Sequence, residues 1–309
     1  MKMKHAILLG CAWLLQGCAL TSHPLGKDAP GKASGSAEME RLIDQPGPIE
    51  LETVTSADWQ VPLGGLLNLD SPESVKAGLK DRDEPIHIYA HLIRHPQRGY
   101  FLVDTGVSRK LLDDPGGEGL NWLIRTAMHL DTLKIRKSTG EIVGGLNGKL
   151  SGVLFTHLHL DHITGMPDIA NDVPLYVGTA EASDSSLKNM FVRGATDRML
   201  KDKQPLQEWH FQPDPQHRFE GVIDVFGDGS VFAISVPGHT PGSVAFLVRT
   251  THGPVLLTGD TCITRWGWAH AVEPGDFTED HQRNRENLQR LKELVARHPL
   301  IEARLGHQD

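Results

Sequence analysis

Short apolar runs separated by glycine- and proline-containing turns dominate the chain beyond about residue 85. The runs at 87–93 and 100–103 flank a polar turn, Pro96-Gln97-Arg98-Gly99, and predict a β-hairpin. Four more runs predict buried strands, at 152–155, 230–236, 254–257 and 301–305. Helical patterns lie near 120–130 and 277–297. No linker divides these elements, which indicates one folded domain of roughly 260 residues.

The first 20 residues have the pattern of an export signal. Lys2 and Lys4 precede an apolar run, Ala6–Leu15, that is too short to span a membrane as a helix. The following Leu15-Gln16-Gly17-Cys18 resembles a bacterial lipobox, whose cysteine is lipidated after cleavage. We therefore predict a signal peptide at 1–17, lipidation of Cys18, and a protein anchored in the bacterial cell envelope, on the periplasmic side or in the outer membrane. A plain signal peptide of a periplasmic or secreted protein and a buried apolar helix are the alternatives.

The segment from Ala19 to about Pro48 is rich in Gly, Pro, Ser, Ala and Lys and has no helical or strand periodicity. This composition predicts a flexible tether over residues 18–48, with the folded domain at 49–309. Cleavage before Cys18 leaves Cys262 as the only thiol without lipid. We expect this thiol to be buried, because a lone cysteine in an oxidising compartment has no intramolecular disulfide partner.

Composition favours imidazole and carboxylate chemistry over thiolate chemistry. The chain has 17 His but only 3 Cys, so a four-thiolate zinc site and a disulfide framework are excluded. The net charge is −8, with 39 acidic and 31 basic residues, which argues against nucleic acid as a partner. We expect a small-molecule substrate, and contact with a membrane only through the N-terminal lipid.

The strand at 152–155 continues into Thr156-His157-Leu158-His159-Leu160-Asp161-His162. In an extended segment His157 and His159 project to the same side, and Asp161 and His162 follow where a helix can begin. Four side chains that bind metals therefore converge within a short span. One tetrahedral ion cannot easily use all four, so the motif favours two adjacent metal ions.

The same arrangement recurs after three later strands. His239, Asp260 and His307 each follow the end of an apolar strand and lie beside a glycine that allows a sharp exit. If the strands form packed sheets, all seven side chains meet at one rim. Five histidines and two aspartates suit two divalent ions with one bridging carboxylate.

This constellation resembles the metallo-β-lactamase superfamily over about residues 85–307. The resemblance implies an α/β fold, a four-layer αββα sandwich with a dinuclear metal site at the sheet edge. It also implies that His157, His159 and His239 hold the first metal. Asp161, His162 and His307 would hold the second, with Asp260 bridging both.

Within that superfamily the closest resemblance is to the N-acyl homoserine lactonase group. It rests on His91-Leu92-Ile93-Arg94-His95-Pro96, Val103-Asp104-Thr105-Gly106, Pro237 to Gly242 and Gly306-His307-Gln308-Asp309. The bridging aspartate argues against antibiotic hydrolysis, because true metallo-β-lactamases usually have cysteine or serine near that place. One departure is that Thr261 to Trp266 lacks the tyrosine that some lactonases carry there.

The resemblance implies a metal-dependent hydrolase that opens lactones and quenches quorum-sensing signals. Two divalent ions, Zn²⁺ first and Mn, Fe or Co as alternatives, would lower the pKa of a bridging water to give hydroxide at neutral pH. Asp161 is the expected proton shuttle and, with Asp260, the expected catalytic residue, while Asp104 would orient a ligand histidine. The alternatives are thioester hydrolysis of the glyoxalase II type, phosphodiester or β-lactam cleavage, and a non-catalytic metal-binding envelope lipoprotein.

Two further expectations concern the surroundings of the site. The apolar side chains expected to form the substrate pocket, with ordinary core packing as the alternative, are Trp122, Met128, Trp266 and Trp268. His307 lies two residues from the end of the sequence, so we expect metal binding to be needed to hold it in position.

Overall fold

A computed structural model of the chain describes residues 19–185 and 187–308, and in the segment 186–190 it describes the backbone of 187–190 only. The predicted signal peptide and the lipidation site Cys18 lie outside the described residues. Among the described residues, no helix has both the length and the apolar character needed to cross a membrane.

Two β-sheets form the centre of the molecule. The eight-stranded sheet has the order β1-β9-β8-β7-β5-β4-β3-β6, and the six-stranded sheet has the order β14-β13-β12-β11-β10-β2. The strands are β1 (Leu25–Gly26), β2 (Lys32–Ser34), β3 (Glu50–Pro62), β4 (Asp83–His95), β5 (Gly99–Val103), β6 (Lys134–Ile135), β7 (Leu150–Leu154), β8 (Leu175–Val177), β9 (Leu206–Glu208), β10 (Val222–Asp224), β11 (Val231–Ser235), β12 (Val244–Thr250), β13 (Gly253–Leu257) and β14 (Glu302–Arg304). The predicted hairpin is confirmed, since β4 and β5 pair antiparallel with Ile93 opposite Phe101.

Helices cover the outer faces of both sheets. They are α1 (Ser36–Ile43), α2 (Leu63–Leu66), α3 (Pro72–Lys76), α4 (Lys110–Asp113), α5 (Trp122–Ala127), α6 (Thr139–Gly144), α7 (Leu160–Ile163), α8 (Leu187–Met199), α9 (Arg265–His270) and α10 (His281–Arg297). The last helix begins four residues later than predicted. Its N-cap is Asp280, whose side chain accepts a hydrogen bond from the backbone N–H of Arg283 at 3.0 Å.

The alternation of side chains along the strands builds separate apolar layers. In β11, Val231 and Ala233 face the other sheet, whereas Phe232 and Ile234 face the helical layer that contains α1 and α10. The opposite face of the eight-stranded sheet packs against helices on its other side, for example against Ile163 of α7. Each large side chain buried in this way contributes about 1.5–3 kcal/mol. The predicted four-layer αββα sandwich is confirmed.

The prediction of a flexible tether is wrong for residues 19–48. In that segment β1 pairs with β9, β2 pairs with β10, and α1 buries Met39 and Ile43 completely. Leu20 is also fully buried. The sequence pattern missed β1 and β2 because strands of two or three residues have no periodicity of their own and are stabilised by the sheets that they extend.

The strand ends that carry the predicted site lie together. At this edge, the backbone N–H of Val244 at the start of β12 donates to the carbonyl of Thr156, just after β7, at 2.9 Å. Strands β13 and β14 are parallel, so the residues that follow them leave the sheet at the same edge. The topology therefore brings segments from both sheets to one rim.

Candidate metal centre

Seven ligand-type side chains meet at this rim in two groups. The first group is His157, His159 and His239, and the second is Asp161, His162, Asp260 and His307. Within each group, the atoms that can bind a metal lie within 4.8 Å of one another. The structure thus brings together all seven residues that the sequence singled out.

Asp260 lies between the two groups and turns one carboxylate oxygen toward each. Its Oδ2 is 3.5 Å from Nε2 of His239 and 3.9 Å from Nε2 of His157. Its Oδ1 is 3.4 Å from Nε2 of both His162 and His307. A carboxylate in this position can bind two cations at once, one through each oxygen.

The buried polar atoms at the centre fit a pair of divalent cations. Nε2 of His157, Nε2 of His162 and Oδ1 of Asp260 are buried and have no hydrogen-bond partner among the described residues. Buried polar atoms nearly always have partners, and neutral imidazole and carboxylate are ligands that divalent transition metals accept. Tetrahedral coordination with ligands at about 2.1 Å separates neighbouring ligand atoms by about 3.4 Å. Nε2 of His239 lies 3.0 Å from Nδ1 of His159, and Nε2 of His307 lies 3.1 Å from Oδ2 of Asp161. Both distances are close to this value.

Hydrogen bonds on the outer side of the rings orient four of the histidines. His162 Nδ1 lies 2.8 Å from Oδ2 of Asp104, and His307 Nδ1 lies 2.7 Å from the carbonyl oxygen of His87. The Nδ1 atoms of His239 and His157 lie 3.2 Å from the hydroxyls of Thr278 and Thr156, respectively. A ring that donates its Nδ1–H outward directs the lone pair of Nε2 to the centre. Asp104 therefore has the orienting position that the sequence predicted.

The expectation that only a metal would hold His307 is wrong. Its side chain is buried, and its backbone N–H donates to the carbonyl of Ile263 at 3.2 Å. Its carbonyl accepts from the backbone N–H of His87 at 3.0 Å. Contacts with β4 and with the segment after Asp260 therefore fix the end of the chain at this residue.

The two groups differ in their protonation. Burial lowers the pKa of His157 well below its usual range and that of His239 to about 3, so these rings are neutral. Burial also disfavours charge on His307, but Asp260 and Asp161 outweigh it and raise its pKa to about 10. For Asp161, burial is outweighed by His162 and His307, which lower its pKa to about 2. Cations bound by the second group would replace protons on its rings.

Glu181, which the sequence analysis missed, ties together the loops of the first group. It is fully buried, and its Oε1 accepts from the backbone N–H of Leu158, between His157 and His159, at 2.7 Å. Its Oε2 accepts from the hydroxyl of Thr240 at 2.6 Å and from the backbone N–H of Gly242 at 3.0 Å. Burial raises the pKa of Glu181 to about 7. No local motif marks this residue, because its partners lie in two distant loops.

The aromatic and methionine residues predicted for the pocket have different environments. Trp122 is 69% exposed on α5, and Met128 is partly buried and packs against the core. The ring of Trp266 stacks on His270, with centroids 4.1 Å apart. Trp268 packs against the core near α10, which is the packing alternative. A pocket wall formed by Trp122, Met128 and Trp266 remains a prediction.

The thiol of Cys262 is fully buried, as expected, and burial raises its pKa to about 12. A thiol with such a raised pKa is protonated and unreactive at neutral pH. The chemistry of the centre therefore depends on its histidines and carboxylates.

Comparisons with known proteins agree with this fold. The family model for the metallo-β-lactamase superfamily matches residues 83–307. An N-acyl homoserine lactonase AttM from Rhizobium johnstonii is 30% identical over 221 residues, 70% of this chain and 80% of the relative. The AttM of Agrobacterium fabrum is 28% identical over 220 residues, with the same coverage.

Solved structures share the fold at low identity. A quorum-quenching N-acyl homoserine lactone lactonase superposes with a TM-score of 0.58 at 19% identity, covering 86% of this chain and 94% of the other. AidC, described as a dizinc quorum-quenching lactonase, superposes with a TM-score of 0.57 at 14% identity, covering 91% and 92% of the two chains. Since the family model spans most of the chain, the protein belongs to the metallo-β-lactamase superfamily, as a hydrolase related to the N-acyl homoserine lactonases.

Proposed function

We propose that this protein hydrolyses the ester bond of lactones, N-acyl homoserine lactones above all, with two divalent cations at the seven-residue centre. The observation that carries the proposal is the position of Asp260, with one oxygen toward each ligand group. The related lactonases, matched over 70% of this chain, support the choice of substrate. Zinc is the first candidate for the metal, with Mn, Fe and Co as alternatives.

Each part of the centre has a chemical role in ester hydrolysis. When bound, two divalent cations lower the pKa of water toward neutrality and polarise an ester carbonyl. Asp161 is suited to hold the proton in transit, because its side chain is 20% exposed while that of Asp260 is 5% exposed. The oxygen of water adds to the carbonyl carbon and the ring C–O bond breaks. Asp161 takes the proton from water and returns it to the leaving alkoxide, which yields the open hydroxy acid.

The segment after Asp260 limits how the substrate carbonyl is oriented. It has no tyrosine between Thr261 and Trp266, and Cys262 and Ile263 are buried in the core. A phenol from this segment therefore cannot polarise the carbonyl. This difference from some lactonases makes substrate profiling the decisive experiment.

The test uses the full chain with its metal content quantified, assayed against lactones, thioesters, phosphodiesters and β-lactams. We expect two ions per chain and the highest turnover on acyl homoserine lactones. Asp260→Ala should lose both ions and activity, whereas Asp58→Ala, which changes a surface carboxylate beside His87, should retain them. Phosphodiester turnover without lactone turnover would overturn the substrate assignment. One ion per chain and no hydrolysis would instead support a non-catalytic envelope protein.

We also propose that the protein is exported and lipid-anchored through Cys18. The support is the sequence Leu15-Gln16-Gly17-Cys18 after a short apolar run. Mass spectrometry of the N-terminal peptide from an expressing bacterium should find a lipidated cysteine, and Cys18→Ala should abolish it. An unmodified N-terminus at another cleavage site would contradict the anchor and leave a secreted protein.

A further inference from the structure

Large apolar side chains are exposed on α5 and on α8. Trp122 and Leu123 on α5 are 69% and 55% exposed, and Phe191 on α8 is 76% exposed. Large apolar side chains that are exposed near one another on a protein surface often mark a contact surface. We call the surface formed by these three residues the α5–α8 surface.

The turn that precedes α5 lies against α8. A Cβ added to Gly119 would lie 3.0 Å from Cα of Ala195 in α8, and Arg198 Nε donates to the carbonyl of Gly117 at 2.6 Å. Trp122 follows Gly119 by three residues, and Phe191 precedes Ala195 by one helical turn. Chain geometry therefore limits the distance between the backbones of Trp122 and Phe191 to about 20 Å.

The first described residues of the chain are fixed to the same helix. The hydroxyl of Thr21 donates to Oδ1 of Asp197 in α8 at 2.5 Å, and the N–H and hydroxyl of Ser22 donate to the same carboxylate, both at 2.7 Å. Leu20 is fully buried. Cys18 lies outside the described residues, but three residues of chain span at most about 11 Å, so a lipid on Cys18 would be attached within about that distance of Thr21.

We propose that the α5–α8 surface rests on a lipid bilayer, with Trp122, Leu123 and Phe191 in its interfacial region. This inference depends on the proposed lipidation of Cys18. Aromatic side chains favour the bilayer interface, and a lipid on Cys18 would hold the protein close to it. Because α8 also packs against α7, which carries Asp161 and His162, the bilayer would lie near the metal centre.

The test measures how lipids quench tryptophan fluorescence in protein extracted from the membranes of an expressing bacterium. The protein is reconstituted into phosphatidylcholine vesicles with or without brominated acyl chains. We expect brominated lipid to quench the wild type, and Trp122→Phe to lose at least half of that quenching. The matched variant Trp266→Phe changes a tryptophan on α9, which is not part of the α5–α8 surface, and should retain the quenching.

Two outcomes would overturn the inference. One is equal quenching in the wild type and Trp122→Phe, or no vesicle binding at all. The other is Trp122 emission that is already shielded from acrylamide without vesicles, as expected if a second copy of the chain covers the surface. Asp260→Ala should be quenched like the wild type, so the result is independent of whether the protein hydrolyses lactones.

Discussion

Asp104 accepts a hydrogen bond from His162: its Oδ2 lies 2.8 Å from Nδ1 of the ring. The same carboxylate accepts from the N–H and the hydroxyl of Thr156 at 2.9 and 2.8 Å. Asp104 follows β5 and Thr156 follows β7, so this side chain joins two adjacent strand ends. It thereby fixes the orientation of a metal-ligand candidate without itself belonging to either ligand group.

We expect Asp104→Asn to weaken metal binding by about 10–100-fold, because an amide cannot accept as strongly from the ring N–H of His162. Metal content after dialysis against a graded chelator series measures the effect. The ion bound by the second ligand group, to which His162 belongs, should be lost first. Asp58→Asn is the control, because Asp58 pairs with His87 Nδ1 at 2.9 Å outside the centre. Equal metal loss in both variants would contradict a specific role for Asp104.

Gly306→Ala should damage the centre without changing any ligand. A Cβ at Gly306 would overlap Oδ1 of Asp260, the oxygen that faces His162 and His307. We expect less than two ions per chain and at least a 10-fold loss of activity. Gly144→Ala is the matched control, because a Cβ there meets nothing within 4 Å, and it should leave metal content unchanged. An intact dinuclear centre in Gly306→Ala would show that Asp260 can shift without loss.

Glu181 should give the folding stability a specific pH dependence. Burial raises its pKa from 4.5 to about 7 in the folded protein, so between these values the folded state binds more protons than the unfolded state. Its contribution to the free energy of unfolding therefore falls as pH rises from about 4.5 to 7, by an amount on the order of 3 kcal/mol. Denaturant unfolding of the metal-free protein at pH 5 to 8 measures the fall.

In Glu181→Gln this component is absent, so its profile should be flatter than that of the wild type. The variant should also lose stability at all pH values, because an amide cannot accept all three hydrogen bonds. Glu286→Gln, on the exposed side of α10, should keep the wild-type profile. Parallel profiles for the wild type and Glu181→Gln would contradict the raised pKa.

Asp197→Ala should release the N-terminal segment from α8. The carboxylate accepts three hydrogen bonds from Thr21 and Ser22, and its loss should lower the free energy of unfolding by about 1–3 kcal/mol. Limited proteolysis should then cleave between residues 19 and 35 faster than in the wild type. Asp172→Ala, at an exposed position, serves as the control. Unchanged protection in Asp197→Ala would mean that β1 and β2 hold the segment alone.

The sequence by itself indicated six of the strands, the hairpin and the seven side chains that lie together at the rim. These are local signals: apolar runs report burial, and His157, His159, Asp161 and His162 lie within six residues. The wrong prediction for residues 19–48 arose where local signals were weakest. There, short segments are ordered by pairing with β9 and β10, by the packing of α1 on the core and by hydrogen bonds to Asp197.

Tertiary structure alone decided how these parts act on one another. Only the folded chain places Oδ1 and Oδ2 of Asp260 toward different ligand groups, and only it brings Glu181 between Leu158 and Thr240. The physical reason is that a sequence pattern specifies which side chains are apolar or can bind a metal. The direction of a single oxygen or hydrogen bond depends on the packing of strands that are far apart in the chain.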